Sequence, residues 1–138
     1  MRLGMCGAFL PDDMDDLTPE MCKHVREMGY SGIFTRFKKN DPHTTPRAKA
    51  DRVRKLLADE NLRLYQVTGY WQNLVTTDET ARAEAVRTVR AALQLANWLG
   101  ARGIDTGPGS MSPDGPWFPH KDNWMETSRK QLTKSLKE

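Results

Sequence analysis

The sequence predicts an α/β fold in which short parallel strands alternate with amphipathic helices. Three observations support this prediction: short apolar segments alternate strictly with helical periodicities, capping residues open the helices, and glycine or asparagine closes most of them. The strands are predicted at residues 2–9, 32–37, 62–70 and 101–107.

The first two helices are predicted from the residues at their ends. Thr18 has the residue type and position of an N-cap, and Gly29 stands where a left-handed C-terminal cap belongs. Thr45 and Pro46 open the second helix, in which Val53 marks the buried stripe, and Asn61 can close it.

The last two helices show similar signals. Asp78 caps the longest helix, which ends at Gly100, and Asn123 with Glu126 has the spacing of a capping box before the final one. No glycine, asparagine or proline follows Leu136. We therefore expect a chain truncated within its fourth helix; the alternative is a complete small domain with a frayed C-terminal helix.

Two architectures place helices against a parallel sheet. One is an open doubly wound sheet, and the other is a (β/α)₈ barrel, which needs about 250 residues. The 138 residues provide four successive β-α units with parallel strands. The sequence therefore predicts an incomplete (half) TIM (β/α)₈ barrel.

Composition limits the class of protein and its partners. The chain is 38% hydrophobic and 28% charged, and no apolar run approaches the roughly 20 residues that span a bilayer. The N-terminal segment lacks the pattern of a signal peptide, so we expect a cytoplasmic protein without membrane contact. The net charge of +3 is spread among acidic residues, which disfavours nucleic acid as a partner. Cys6 and Cys22 lack the spacing of a zinc site or a disulfide framework.

Several stretches are similar to one known family. They are "LGMCG", "EMGYSGIF", "RLYQVTGYWQNLVTTDETAR", "ALQLANWLGARGIDTGPGS" and "PHKDNW", in this order over essentially the whole chain. In this order and spacing, the chain resembles the N-terminal half of the sugar phosphate isomerase/epimerase-like proteins of the xylose isomerase-like TIM barrel superfamily.

The resemblance implies what the other half of such a barrel contributes. In this family Glu, Asp, His and Glu from strands of the second half hold a divalent metal (Mn, Mg, Co or Zn), and that half also supplies the two proton-moving carboxylates. No position of this chain matches those residues. The resemblance thus implies that this chain alone binds no cofactor, contributes no catalytic residue or metal ligand, and is inactive.

Substrate-facing residues are predicted at the carboxyl ends of the strands, where barrel enzymes place their active sites. Aromatic faces stack on sugars, amides reach hydroxyl groups, an arginine can hold a phosphate or carboxylate, and glycine permits close backbone approach. The substrate-binding candidates are Arg36, Tyr70, Trp71, Asn73, Gly107, Gly109 and His120. The same rule also nominates Cys6, Phe9, Thr68, Gln72 and Ser110.

Each candidate has a structural alternative. Tyr70 and Trp71 can plug the barrel mouth, Arg36 can be ion-paired or solvated, and His120 can be an ordinary loop residue. The segment 107–112 is favoured as a tight turn within a long loop rather than a phosphate cradle, because the next helix begins only near Asn123. We expect Trp117 to pack in a loop and Trp124 to be the first buried position of the last helix.

An acidic cluster precedes the first helix. Asp12, Asp13, Asp15 and Asp16 suggest calcium, but the EF-hand glycine and distal glutamate are missing, so an acidic loop is the simpler interpretation.

Three functions remain open from the sequence. The first is the N-terminal half of a metal-dependent carbohydrate isomerase or epimerase, whose partner is a small carbohydrate. The second is a non-catalytic half-barrel that binds a partner or forms a homodimer through exposed sheet edges. The third is a barrel endonuclease for abasic DNA, which is disfavoured because "LRLYQVTGY" carries no histidine ligand.

Overall fold

The chain folds into two compact units. The computed structural model describes residues 3–7 and 10–138. Unit 1 comprises Met1–Gly69 with Ala91–Asp105, and unit 2 comprises Tyr70–Arg90 with Thr106–Glu138. The predicted first strand, 2–9, lies partly outside the described residues, because residues 2, 8 and 9 are not among them. The candidate Phe9 lies outside them as well.

Unit 1 contains a parallel sheet whose strands alternate with helices. Its elements are β1 (Gly4–Met5), a 3₁₀ turn (Met14–Asp16), α1 (Pro19–Glu27), β2 (Gly32–Arg36), α2 (Arg47–Asp59), β3 (Arg63–Thr68) and the last part of α3 (Glu79–Leu99). The strand order β1-β2-β3 follows the chain order, and every pair is parallel. Doubly wound sheets reverse their strand order, whereas barrels keep it. The predicted fold class is thus confirmed.

The predicted fourth strand, 101–107, is much shorter than expected. Ile104 forms a single parallel bridge with Val67 of β3. The backbone N–H of Val67 donates to the carbonyl of Gly103 at 3.1 Å, and the N–H of Asp105 donates to the carbonyl of Val67 at 3.1 Å. Within the described residues this segment pairs with β3 on one side only, and Pro108 follows shortly, so the ladder does not extend.

Local capping signals explain where most helices begin and end. The Thr18 hydroxyl accepts a hydrogen bond at 3.3 Å from a backbone N–H in the first turn of α1, and the Asp78 carboxylate accepts two, at 2.9 and 3.1 Å, from the first turn of α3. Gly29 and Asn61 have φ angles of +88° and +53°, the left-handed conformation of a C-terminal cap. These predicted caps are confirmed.

The start of α2 differs from the prediction. The helix begins at Arg47, and Pro46 precedes it without a side-chain cap. The Thr45 hydroxyl instead donates to the backbone carbonyl of Asp41 at 2.6 Å. A hydroxyl that is engaged by its own turn is not available to cap the helix.

A β-bulge interrupts the pairing of β2 with β3. The register shifts between Ile33 and Phe34, and Tyr65 is the extra residue on β3. A Cβ atom on Gly32 would lie 2.8 Å from the Tyr65 ring, and one on Gly4 would lie 2.7 Å from it. The Tyr65 and Ser31 hydroxyls are 2.8 Å apart. Two glycines on neighbouring strands therefore make the space that this tyrosine occupies.

The core of unit 1 is apolar and comes from every element. Its buried side chains larger than alanine are Met5, Leu10, Met14, Leu17, Cys22, Val25, Ile33, Phe37, Val53, Leu57, Leu62, Leu64, Val67, Leu95 and Leu99. Burying such side chains is the main favourable contribution to folding.

Unit 2 is built from the first part of α3, a 3₁₀ turn (Lys121–Trp124) and α4 (Glu126–Lys137). Leu74, Ala85 and Val86 form its buried cluster, and Val89 and Leu132 pack against them. Polar contacts hold α4 in place: the Ser135 hydroxyl donates to the carbonyl of Leu74 at 2.8 Å, and the Lys134 ammonium lies 2.6 Å from the Glu79 carboxylate. In the described part of the chain, no helix has the length and apolar character that crossing a bilayer requires.

Candidate functional site

The loop after β3 is joined to the glycine-containing turn of unit 2. The backbone N–H of Leu74 donates to the carbonyl of Pro108 at 2.9 Å, and the Asn73 side-chain amide donates to the carbonyl of Ser110 at 2.7 Å. Two segments far apart in sequence, 70–75 and 107–111, therefore act as one surface. We call it the paired-loop surface.

Gly109 fits this surface because it has no side chain. Its φ angle is +87°, and a Cβ atom there would lie 2.2 Å from the Asn73 side-chain oxygen. The space beside the turn is thus filled by Asn73 of the same chain. The first helical turn after it begins at Lys121. This geometry agrees with the predicted tight turn and not with a phosphate cradle, which needs a helix N-terminus directly after the glycines.

Two tryptophans meet on the paired-loop surface. The rings of Trp71 and Trp117 have centroids 5.3 Å apart and an interplanar angle of 87°, an edge-to-face pair. A Cβ atom on Gly107 would lie 3.4 Å from the Trp117 ring. Trp117 is 64% exposed and Trp71 is 36% exposed, so both present aromatic surface to solvent. Tyr70, in contrast, is buried, which favours a packing role for its ring.

A polar network fixes the loop that follows the turn. The buried Ser110 hydroxyl donates to the carbonyl of Phe118 at 2.6 Å, and the Asn123 amide donates to Ser110 Oγ at 3.0 Å. The Asn123 side-chain oxygen accepts from the backbone N–H of Met111 at 2.8 Å. The predicted capping box of Asn123 with Glu126 is therefore wrong, because the Asn123 side chain is used in this network.

His120 lies at the end of the same loop and caps the 3₁₀ turn. Its Nδ1 accepts a hydrogen bond from the backbone N–H of Asp122 at 3.3 Å. The prediction for Trp124 is wrong: its ring is 83% exposed and is not the first buried residue of a helix. The large exposed apolar side chains of unit 2 are Trp71, Trp117, Phe118, Trp124, Met125 and Leu136.

Arg36, at the end of β2 in unit 1, is ion-paired. Its guanidinium donates to the Asp12 carboxylate, and the Lys38 ammonium lies 2.8 Å from the same carboxylate. The hydrogen bond from Lys38, together with that from Arg36, lowers the pKa of Asp12 below its ordinary value. Asp13, Asp15 and Asp16 are likewise bound by backbone N–H groups or basic side chains, as expected for an acidic loop.

Two oxygens at the carboxyl ends of neighbouring strands in unit 1 lack partners. Thr68 ends β3, and Asp105 ends the short fourth segment; the adjacent residues Val67 and Ile104 pair directly. Thr68 Oγ1 and Asp105 Oδ1 are buried, and neither atom has a hydrogen-bond partner among the described residues. The sequence analysis named Thr68 as a candidate but missed Asp105. The position of Asp105 at a predicted strand end, two residues before Gly107, could have indicated it.

The chain matches the model of one protein family, the xylose isomerase-like TIM barrel, over residues 22–138. The chain belongs to the xylose isomerase-like TIM barrel family. The predicted resemblance is thus confirmed.

Solved structures with the same fold are about twice as long as this member of the family. The 3-keto-D-glucoside 4-epimerase of E. coli has a TM-score of 0.68 and 19% identity, over 99% of this chain and 49% of the epimerase. A D-psicose 3-epimerase with D-fructose has a TM-score of 0.71 and 15% identity, over 99% and 46%. The probable 3-DHS dehydratase AsbF of Bacillus anthracis has a TM-score of 0.63 and 13% identity, over 99% and 46%. No curated protein matches the chain.

The described residues do not fit the divalent metal that the resemblance to this family implies. Among residues 3–7 and 10–138, no three His, Cys, Asp or Glu side chains gather where they could hold a metal ion.

Proposed function

We propose that this chain supplies the N-terminal half of a carbohydrate isomerase or epimerase barrel and holds the sugar with its strand-end loops. The observation that carries the proposal is the pair of buried, unpartnered oxygens, Thr68 Oγ1 and Asp105 Oδ1, at two adjacent strand ends. A buried polar atom without a partner is unfavourable, so such atoms call for an explanation. A polyhydroxylated ligand provides the missing partners.

The chemistry of these two oxygens suits a sugar. A carboxylate oxygen accepts a hydrogen bond from a sugar hydroxyl, and a threonine hydroxyl either accepts or donates one. In barrel enzymes the carboxyl ends of the strands face the substrate. The solved structures that share the fold include enzymes named for 3-keto-D-glucoside and D-psicose, which supports a carbohydrate as the substrate class.

In unit 2, taken by itself, the paired-loop surface provides the type of contacts that sugars use. Trp71 and Trp117 offer exposed aromatic faces and edges for the C–H side of a ring. Gly107, beside the Trp117 ring, and Asn73, whose amide donates to the carbonyl of Ser110, remain predicted sugar contacts. In unit 2, Tyr70, Gly109 and His120 remain predicted sugar contacts; in unit 1, taken by itself, Arg36 remains one.

The proton transfers of the proposed reaction come from outside these residues. An isomerase or epimerase of this kind removes a proton beside a carbonyl group and returns it elsewhere, and the carboxylates that do so belong to the other half of the barrel. The residues described here bind and orient the sugar.

The experiment that tests the proposal is a titration of the chain with D-psicose and with D-fructose, followed by backbone amide chemical shifts. We expect saturable shifts at Thr68 and Asp105, and we expect Asp105→Ala to weaken binding about tenfold or more, as loss of a hydrogen bond to a charged group does. Asp114→Ala, in an exposed loop, is the matched control. Absence of saturable shifts, or equal weakening by the control, would contradict the proposal.

A second measurement concerns activity. We expect the chain alone to show no metal-dependent isomerisation of ketoses, because the proposed catalytic groups lie in the other half. Robust turnover by the purified chain would overturn this assignment.

A second candidate function is a homodimer that forms without catalysis. The six exposed large apolar side chains of unit 2 favour it, because removing apolar surface from water drives association. A second copy of this chain is the proposed occupant. Light scattering after size exclusion should then give twice the 15.7 kDa of one chain, and Trp124→Ser should reduce the dimer fraction. A well-folded monomer at high micromolar concentration would exclude this function.

A further inference from the structure

A cavity of about 610 Å³ lies in unit 1 at the amino-terminal end of β3. Its wall comes from the C-terminal parts of α2 and α3 and from the first residues of β3 and of the fourth segment. Leu57, Leu62, Leu64 and Leu99 are apolar lining residues. This is the end of the strands away from the proposed sugar site, so the cavity is not part of that site.

Three arginines line this cavity, each from a different element. Arg54 is on α2, Arg63 opens β3, and Arg102 precedes the bridge residue Ile104. All three are exposed to solvent, and no carboxylate is among the lining residues. Three positive charges in one concave site without a negative charge in its wall repel each other and attract anions.

These arginines differ from most others in the chain. Arg36, Arg47, Arg52, Arg82 and Arg87 each form an ion pair. Within residues 3–7 and 10–138, no carboxylate pairs with the guanidinium of Arg54, Arg63 or Arg102. Their donors are therefore available to a ligand.

Gly100 makes room for one of them. It follows α3 with a φ angle of +76°, and a Cβ atom there would lie 3.4 Å from Arg54 Nε. The Arg54 side chain thus lies against the glycine rather than against a bulky residue.

We propose that Arg54, Arg63 and Arg102 bind a phosphate group of a small organic phosphate, whose apolar part lies against the leucines of the cavity. Guanidinium groups match the geometry of phosphate oxygens and bind them through paired, charge-assisted hydrogen bonds. The volume falls within the range of about 300–1,000 Å³ that is typical of small-molecule sites. The site lies at the opposite ends of the strands from the sugar, so its ligand is a second ligand and not the substrate.

The test is a titration of the whole chain with pyrophosphate at 25 °C and about 0.15 M salt, which screens weak surface attraction. We expect saturable one-to-one binding by calorimetry, with amide shifts concentrated at Gly100 and Gly103. Arg54→Gln and Arg102→Gln should each weaken binding about tenfold or more. Arg26→Gln, which removes the same charge from an exposed position on α1, should change it less than about twofold.

Several outcomes would overturn the proposal. They are the absence of saturable binding, amide shifts spread over all basic surfaces, and equal weakening by the Arg26→Gln control. A single-stranded oligonucleotide whose affinity rises with its length, and which all three variants weaken equally, would show general polyanion attraction instead. If one variant fails to fold, Arg63→Gln and the amide shifts of the unmodified chain decide the question.

Discussion

Gly109→Ala is the substitution whose effect the geometry defines most sharply. The new Cβ atom would lie 2.2 Å from the Asn73 side-chain oxygen and 2.6 Å from Asn73 Cα. Real Cβ atoms do not approach other atoms so closely, and a backbone atom cannot move aside alone. The two loops of the paired-loop surface must therefore separate.

The loss of stability has two parts. Alanine at a φ angle of +87° costs about 1–2 kcal/mol relative to glycine. Separating the loops breaks the hydrogen bonds from Leu74 N–H to Pro108 and from the Asn73 amide to Ser110, each worth about 0.5–1.5 kcal/mol. We expect the free energy of unfolding to fall by about 2–5 kcal/mol.

Gly29→Ala is the matched control. Gly29 has a φ angle of +88°, but nothing lies within 4 Å of a Cβ atom there. The control therefore has the backbone cost without the collision, about 1–2 kcal/mol. Urea unfolding followed by tryptophan fluorescence measures the difference, because Trp98 belongs to unit 1 with Gly29, and Trp71, Trp117 and Trp124 belong to unit 2 with Gly109. If Gly109→Ala destabilises the chain no more than Gly29→Ala does, the described contact of Gly109 with Asn73 is wrong.

Three further predictions follow from ionisable groups. The hydrogen bond from Lys134, with those from Gln131 and Arg82, lowers the pKa of Glu79 from 4.5 to about 2, so its contribution to stability is present above pH 4.5 and is lost as the pH falls through 2. Urea unfolding of Glu79→Gln should show a weaker pH dependence in this window. Asp13→Ala should lower the free energy of unfolding by about 3 kcal/mol, because the buried carboxylate accepts two backbone N–H groups. Burial raises the pKa of Cys22 to about 11, so a thiol reagent at pH 8 should modify exposed Cys6 at once and Cys22 only after unfolding.

Each of these predictions has a control. Glu84→Gln removes an exposed carboxylate from the same helix as Glu79 and should leave the acid dependence unchanged. Asp59→Ala removes one partner of an exposed ion pair and should change stability by less than about 1 kcal/mol. Equal effects of test and control variants, or two fast-reacting thiols in the folded chain, would contradict the described burial and contacts.

Features that depend on neighbours in sequence were predictable. The caps at Thr18, Gly29, Asn61 and Asp78 each involve hydrogen bonds or a backbone angle within a few residues. The residues that make these contacts lie within a few positions of each other in the sequence. The parallel α/β fold class was predicted from the order of these local strand and helix signals along the chain.

Features that depend on distant contacts were not predictable. Asn123 has the spacing of a cap, but Ser110, 13 residues earlier, takes its side chain. The Thr45 hydroxyl donates to the carbonyl of Asp41, only four residues earlier, so a local contact can also compete with a helix cap. A side chain with two competing uses cannot be assigned from spacing alone.

The candidate site was predicted in part. The turn at Gly107 and Gly109 was expected, but its packing on Asn73 comes from a segment more than 30 residues away. Asp105 was missed because a charged residue within a short strand carries no sign of burial in the sequence. Only the folded chain shows that its Oδ1 atom is buried.

The extra residue at Tyr65 has a consequence for anyone who transplants this strand. Side chains alternate between the two faces of a sheet. A single inserted residue therefore moves each later side chain of the strand to the opposite face. A graft of β3 from a homologous barrel that lacks the insertion would exchange Val67 and Thr68 between the faces. Chimeric barrels joined within this strand should therefore keep Tyr65 together with the glycines that accommodate it.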